Sequence, residues 1–335
     1  GSDRNLVQSI SNFLVAYKKD PKVQAAGLNG FRAMAIAGSQ SVEAAHAARC
    51  IERARMALLD HKEDEMVQSR GIELLRRVAA YSTNLRDTVV EEGLYPLIIA
   101  AQDSCKKSPE VCRQSIHAAG TLLGFVTSST AQSRQEERMK MMMQSAAKAK
   151  AAAQGTQQRG ASLAFGKLVK ETDLVKFAMR VDELMIQHKH SSIFLQDACH
   201  VLRCLSEASD DGLKAVQGSG VLPTLMAAIQ KHRRSQAVNF HGFRVLWGLL
   251  KPAASIREAL EAGVVEWSTA ALSRFSECVA AQTAVLLVVN RLCLGAQEVK
   301  VQYLKAKIIP TVLHIFEQNE SNLLLRSRCL ATLAN

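Results

Sequence analysis

The sequence predicts an all-α solenoid of about seven three-helix repeats, and three observations predict it. A short turn recurs at near-constant spacing: Gly93-Leu94-Tyr95-Pro96, Gly220-Val221-Leu222-Pro223 and Lys307-Ile308-Ile309-Pro310, with a proline-free copy at Gly263-Val264-Val265-Glu266. A strongly apolar helical run lies in every interval between turns. Aromatic residues make up only 5% of the 335 residues, while Ala and Leu dominate the apolar set. That is the composition of close-packed helices, not of sandwiches or barrels, which draw on aromatic and β-branched residues.

Each turn has a physical reading. A helix ends at a glycine, which tolerates a left-handed backbone, and the chain enters a new helix with Pro in its first turn, where a missing N–H costs nothing. The spacing is 43 residues from Gly220 to Gly263 and 44 from Gly263 to Lys307. Forty-three residues before Gly93 stands Cys50-Ile51-Glu52-Arg53, opening the run Ala54 to His61, and 43 before that is Val7, inside the run Leu6 to Lys18. A degenerate copy, Asp173-Leu174-Val175-Lys176, lies 47 before Gly220. The registers therefore fall near 5, 50, 93, 173, 220, 263 and 307, and 1–335 reads as a single solenoid. The more apolar last helix of each repeat is expected at Val23–Ile36, Met66–Ala80, Val111–Val126, Ile193–Leu205, Ala237–Leu250, Ala280–Leu294 and Leu323–Ala334. Short amphipathic stretches such as Asn84–Gly93 and Ser255–Gly263 supply the first helix of the next unit. One such unit cannot bury its apolar face alone, so the units must stack.

The period breaks once. Gly93 to Asp173 is 80 residues, and the excess lies in 128–160, a basic Ala/Met/Lys-rich insertion with six Lys/Arg against two Glu. It is helix-prone but has no clean apolar stripe, and a solvated excursion is its plainer reading over a partner-docking segment. At the ends, Gly1-Ser2 reads as a tag-cleavage scar, and Asn335 closes the last repeat with no polar capping helix. The expectation is a piece of a longer chain, or an end covered by another subunit.

The turn pattern resembles that of the armadillo-repeat family, with HEAT repeats the nearest confusable class. The family's last helix, closing on an Ala/Leu-x-Asn-Leu motif, is echoed by Val288-Val289-Asn290-Arg291-Leu292 and Cys329-Leu330-Ala331-Thr332-Leu333. The resemblance covers almost the whole chain. It implies a right-handed superhelix whose third helices line a concave groove, with the position of Asn290 facing it. In import adaptors of the family an Asn/Trp array there holds the backbone of an extended basic peptide. The matching positions here read Arg76, Arg203, Trp247 and Asn290, which is not such an array.

Positive charge stands in its place. The chain carries 42 Lys+Arg against 31 Asp+Glu, a net +11. Arg76, Arg77, Arg203, Arg244 and Arg291 all fall on or beside the expected groove face, with Trp247 and Asn290 between them. Arginine forks hold carboxylates bidentately, so the partner expected is another protein's acidic or extended segment. Nucleic acid is the alternative partner, invited by Lys231-His232-Arg233-Arg234 and Lys106-Lys107. Those clusters lie in turns at the edge, however, and no aromatic interleaves with them. A regulatory repeat domain of a larger multidomain protein is a further alternative.

No catalytic site, cofactor or metal is expected. Gly160-Ala-Ser-Leu-Ala-Phe-Gly166-Lys167-Leu168 departs from a phosphate loop in spacing and has Leu where a hydroxyl belongs. His188-Lys189-His190 reads as a surface loop, and Cys199, His200 and Cys204 share one helix with no further ligand nearby. The longest apolar run, Ala284 to Val289, is too short to span a membrane. The eight cysteines form no Cys-x-x-Cys pair. They read as free thiols of a reducing compartment, which points to a cytoplasmic or nuclear adaptor.

Overall fold

The computed structural model describes residues 2–37, 40–125, 168, 172–294 and 297–335, and the anticipated 128–160 insertion lies outside them. Among the described residues there are 18 helices and no strand. The chain divides into two compact units, Gly1–Thr172 and Asp173–Asn335.

Unit 1 runs α1 (Ser2–Ala16), α2 (Pro21–Ala37), α3 (Gln40–Asp60), α4 (Glu65–Tyr81), α5 (Thr83–Glu91), α6 (Leu94–Ser104) and α7 (Pro109–Leu122). Its spine is the series α2, α4, α7, in which α4 packs against both of the others. Unit 2 runs α8 (Leu174–Gln187), α9 (Ser192–Ala208), α10 (Asp210–Gly218), α11 (Leu222–Lys231), α12 (Gln236–Leu249), α13 (Ala253–Glu261), α14 (Val264–Arg274), α15 (Val279–Cys293), α16 (Gln297–Lys305), α17 (Ile308–Gln318) and α18 (Leu323–Ala334). Here the spine is α9, α12, α15, α18, each packed on the next. These seven spine helices are the seven apolar runs read from the sequence.

The turns behave as their residues require. Gly93, Gly220 and Gly263 take φ of 69°, 75° and 82°, the left-handed region that lets one helix end and the next begin within a residue. Lys307 holds the same place at φ 58°. Cys50 stands at the matching position of the second repeat, and with nothing there to break the backbone α3 runs unbroken from Gln40 to Asp60. The second repeat thus has two helices where three were expected. Spine helices start on polar caps: Asp64 accepts from the Val67 N–H, Ser108 from Val111, Ser191 from Phe194, Ser235 from Val238 and Asn322 from Leu325.

A buried amide fastens each of several spine helices to the helix before it. Gln24 donates to the Leu14 and Tyr17 carbonyls at 2.7 and 3.1 Å, and Gln68 to those of Leu58 and His61, both at 2.9 Å. Asn239 reaches the carbonyls of His232 and Ser235, and Gln282 that of Ser276. These amides satisfy the loose carbonyls at helix C-termini that would otherwise be buried without partners. Around them the core is aliphatic. In α15 alone, Ala284, Val285, Leu286, Val288, Val289 and Leu292 are fully buried.

Candidate functional site

All seven residues singled out from the sequence lie on spine helices, but the structure distributes them over the two units. Arg76 and Arg77 sit on α4 in unit 1, while Arg203 (α9), Arg244 and Trp247 (α12), and Asn290 and Arg291 (α15) belong to unit 2.

In unit 1 the centre of the spine is Glu73, a turn before Arg77. Its side chain is only 5% exposed, yet it is the hub of three arginines. Arg32 of α2 donates to both carboxylate oxygens at 2.9 and 3.0 Å, Arg77 donates twice at 3.0 and 2.9 Å, and Arg70 lies at 3.4 Å. Burial by itself pushes the Glu73 carboxyl up, but the bonds from Arg77 and Arg32 outweigh it and hold it below its ordinary value. Arg77 is therefore engaged within the stack, and Arg76 is half-buried beside it.

Unit 2 repeats the device with Glu207. Arg203, one turn earlier on α9, lies 3.2 Å from it, and Arg244 of α12 reaches it with Nη2 at 2.6 Å and Nε at 2.8 Å. The Arg203 guanidinium also stands 5.6 Å from the Phe240 ring. Next along the same face comes Trp247, half-buried, with the guanidinium of Arg244 at 5.8 Å and that of Arg291 at 5.6 Å from its ring centre. Such distances are within cation–π range. Asn290 donates to the Arg328 carbonyl of α18 at 3.4 Å, and its own buried carbonyl oxygen accepts no hydrogen bond. The structure thus brings Arg203, Arg244, Trp247, Asn290 and Arg291 onto one continuous face across three spine helices.

Glu73, Glu207, Arg32 and Phe240 were not anticipated. Two of them carried a local signal: Glu73–Arg77 and Arg203–Glu207 are i,i+4 pairs, neighbours on any helix. The inter-repeat bonds, Arg32 to Glu73 and Arg244 to Glu207, are visible only once the spine helices are side by side.

Residues considered for other chemistry are placed differently. His188-Lys189-His190 forms the turn after α8 as expected, with Lys189 and His190 exposed, but His188 is buried against Phe194, rings 4.9 Å apart. Cys204 lies 3.8 Å from the His200 ring nitrogens, and Cys199 is fully buried. Among the described residues no group of three or more His, Cys, Asp and Glu is placed to hold a metal ion. Nor is any described helix long and apolar enough to cross a membrane. All eight cysteines are free thiols, and burial pushes those of Cys50 and Cys199 up to about 12.

No protein-family model matches the chain, and no curated protein matches it. Solved structures do. One engineered protein aligns over 86% of this chain and 95% of its own, at a TM-score of 0.55 and 13% identity. A second covers 99% of this chain and 79% of its own at the same score and identity. A designed armadillo repeat protein, solved in complex with the peptide (KR)4, covers 85% and 98%, with a TM-score of 0.53 and 12% identity. A likeness at that identity is one of fold, and the fold is the armadillo-type helical repeat.

Proposed function

We propose that the chain is a non-enzymatic protein-interaction scaffold, an adaptor that holds an acidic, extended segment of another protein against its spine helices. The observation that carries this reading is Trp247, half-buried between Arg244 and Arg291. An aromatic anchor and two planar cations are what an extended acidic peptide needs: an apolar contact and carboxylate partners. The solved armadillo design binds a peptide of alternating Lys and Arg. On this chain two arginines, Arg203 and Arg244, meet the single carboxylate of Glu207 in unit 2, and three, Arg32, Arg70 and Arg77, meet that of Glu73 in unit 1. That surplus repels a basic peptide and favours an acidic one. The eight free thiols fit a reducing compartment, the cytoplasm or the nucleus.

The test is fluorescence anisotropy with two labelled peptides of equal length, one Asp/Glu-rich and one Lys/Arg-rich. The acidic peptide is expected to bind and the basic one not, with Trp247→Ala weakening binding by ~30-fold, as for a hot spot worth about 2 kcal/mol. Preference for the basic peptide, or an affinity indifferent to both Trp247→Ala and Arg291→Glu, sinks the reading.

A further inference from the structure

A second concentration of positive charge in unit 2 lies away from the spine face, on the turns between helices. The turn between α8 and α9 carries Lys189 and His190. The turn between α11 and α12, one repeat on, carries Lys231, His232, Arg233 and Arg234. The structure sets these two turns side by side. His232 Nε2 lies 3.0 Å from the Lys189 carbonyl, and Lys231 Nζ is 2.9 Å from His190 Nδ1. From the following repeat, Arg274 donates to the Arg233 carbonyl at 3.2 Å. The turns are thus stitched to one another through backbone carbonyls, leaving the cationic heads of Arg233 and Arg234 exposed. None of Lys189, Lys231, Arg233, Arg234 and Arg274 is ion-paired to a carboxylate among the described residues.

Between the turns is an open cleft of about 490 Å³, lined by Lys231 through Ser235 and by Ser192. Its lining includes the starts of two helices. Ser192 is the first residue of α9 and Ser235 is the cap of α12, whose hydroxyl serves only the Val238 N–H. The first N–H groups of both helices have no partner within their own helix, and the positive ends of both dipoles lie at the cleft. The same edge of unit 1 is stitched in the same way, His61 to the Lys18 carbonyl at 2.7 Å and the Cys105 thiol to that of Lys62 at 3.6 Å. There the lysines are interleaved with Asp20, Glu63, Asp64 and Glu65, and three of those carboxylates help burial to raise the Cys105 thiol. Among the described residues, the unit 2 edge carries Lys and Arg without a carboxylate over two consecutive turns, 188–191 and 231–235.

We propose that this cleft binds a compact ligand carrying two or more phosphate groups, free or as the headgroup of a lipid. Tetrahedral anions are the ligands that helix N-termini and arginine forks take together. One phosphate brings a charge of only about −2, too little to balance Lys189, Lys231, Arg233 and Arg234. The cleft volume is that of a small-molecule site, and its lining holds no Phe, Tyr or Trp to serve as a stacking platform for a nucleic-acid base.

The experiment is calorimetric titration of the full chain at physiological salt with inorganic tripolyphosphate and with inositol hexakisphosphate. Flotation on phosphatidylcholine vesicles with and without phosphatidylinositol bisphosphate runs beside it. One-to-one binding is expected, reduced at least ~10-fold (about 1.4 kcal/mol) in Lys231→Gln/Arg233→Gln/Arg234→Gln and within ~2-fold of wild type in Arg203→Gln/Arg244→Gln. Capture by phosphoinositide vesicles alone assigns the site to a lipid headgroup, and binding of the soluble probes alone to a free ligand. Three results overturn the proposal: no binding of any probe, an equal loss in both variants, or a single-stranded oligonucleotide bound more tightly than either phosphate probe. Arg234→Gln, a single exposed change, keeps the test open if the triple variant fails to fold. The arginines of the proposed peptide face serve as the control, so this proposal and that one fail separately.

Discussion

Lys307 occupies a backbone conformation that its three counterparts leave to glycine. An L-residue with a Cβ in the left-handed region costs about 1–2 kcal/mol. Lys307→Gly is therefore expected to raise stability by about 1 kcal/mol, part of the relief being offset by the freer unfolded chain. Urea denaturation reads this directly, and a loss of stability would mean that the lysine side chain makes up for its strain. Glu73 gives a prediction in pH. Burial raises its pKa and the arginine bonds lower it further than that, so the folded value lies below the unfolded one. Such a carboxyl adds stability above its unfolded pKa of about 4.3, and loses it as pH falls through the folded value. Wild type should exceed Glu73→Gln in stability at neutral pH, with the gap closing below about pH 4.3. Denaturation curves collected from neutral to acid pH check it, and a constant gap would show that Glu73 acts through shape alone.

At the scale of the helix, the buried amides hold successive elements in register. Gln68 by itself serves the Leu58 carbonyl of α3 and the His61 carbonyl just beyond it, so Gln68→Leu leaves both without that donor and is expected to cost about 1–3 kcal/mol. If the cost is negligible by denaturation, those carbonyls find other partners and the lock is ornamental. The helices themselves were legible in the sequence because their stops are local chemistry: Gly93, Gly220 and Gly263 each supply the one backbone conformation a sharp turn needs. Counting Cys50 as a further stop was the error, since a cysteine there has no reason to leave the helix. The amide locks were not legible. Most of them reach back six to ten residues to the preceding helix or turn, and only the packed pair shows which carbonyls lie within reach.

At the scale of the molecule, the excess of lysine and arginine was legible and its distribution was not. Composition records +11, but whether an arginine is free depends on carboxylates one repeat away, as Glu207 shows for Arg244. The stack also determines how perturbations combine. In unit 2 the contacts of α9 run through α12 and α15 before reaching α18, so stability should behave as a sum of repeats and nearest-neighbour interfaces. Leu202 in α9 and Leu325 in α18 are both fully buried. Leu202→Ala and Leu325→Ala should each cost about 2–5 kcal/mol, and the double variant should equal their sum within about 0.5 kcal/mol. Glu207→Gln and Arg244→Met, which meet at 2.6 Å, should instead cost less together than the sum of their separate costs, because the second change removes an interaction the first has already broken. Denaturant titration of the four single and two double variants decides the matter. Coupling between Leu202 and Leu325 as large as that between Glu207 and Arg244 would mean that the stack responds as one indivisible core, and the nearest-neighbour account of this fold would have to be given up.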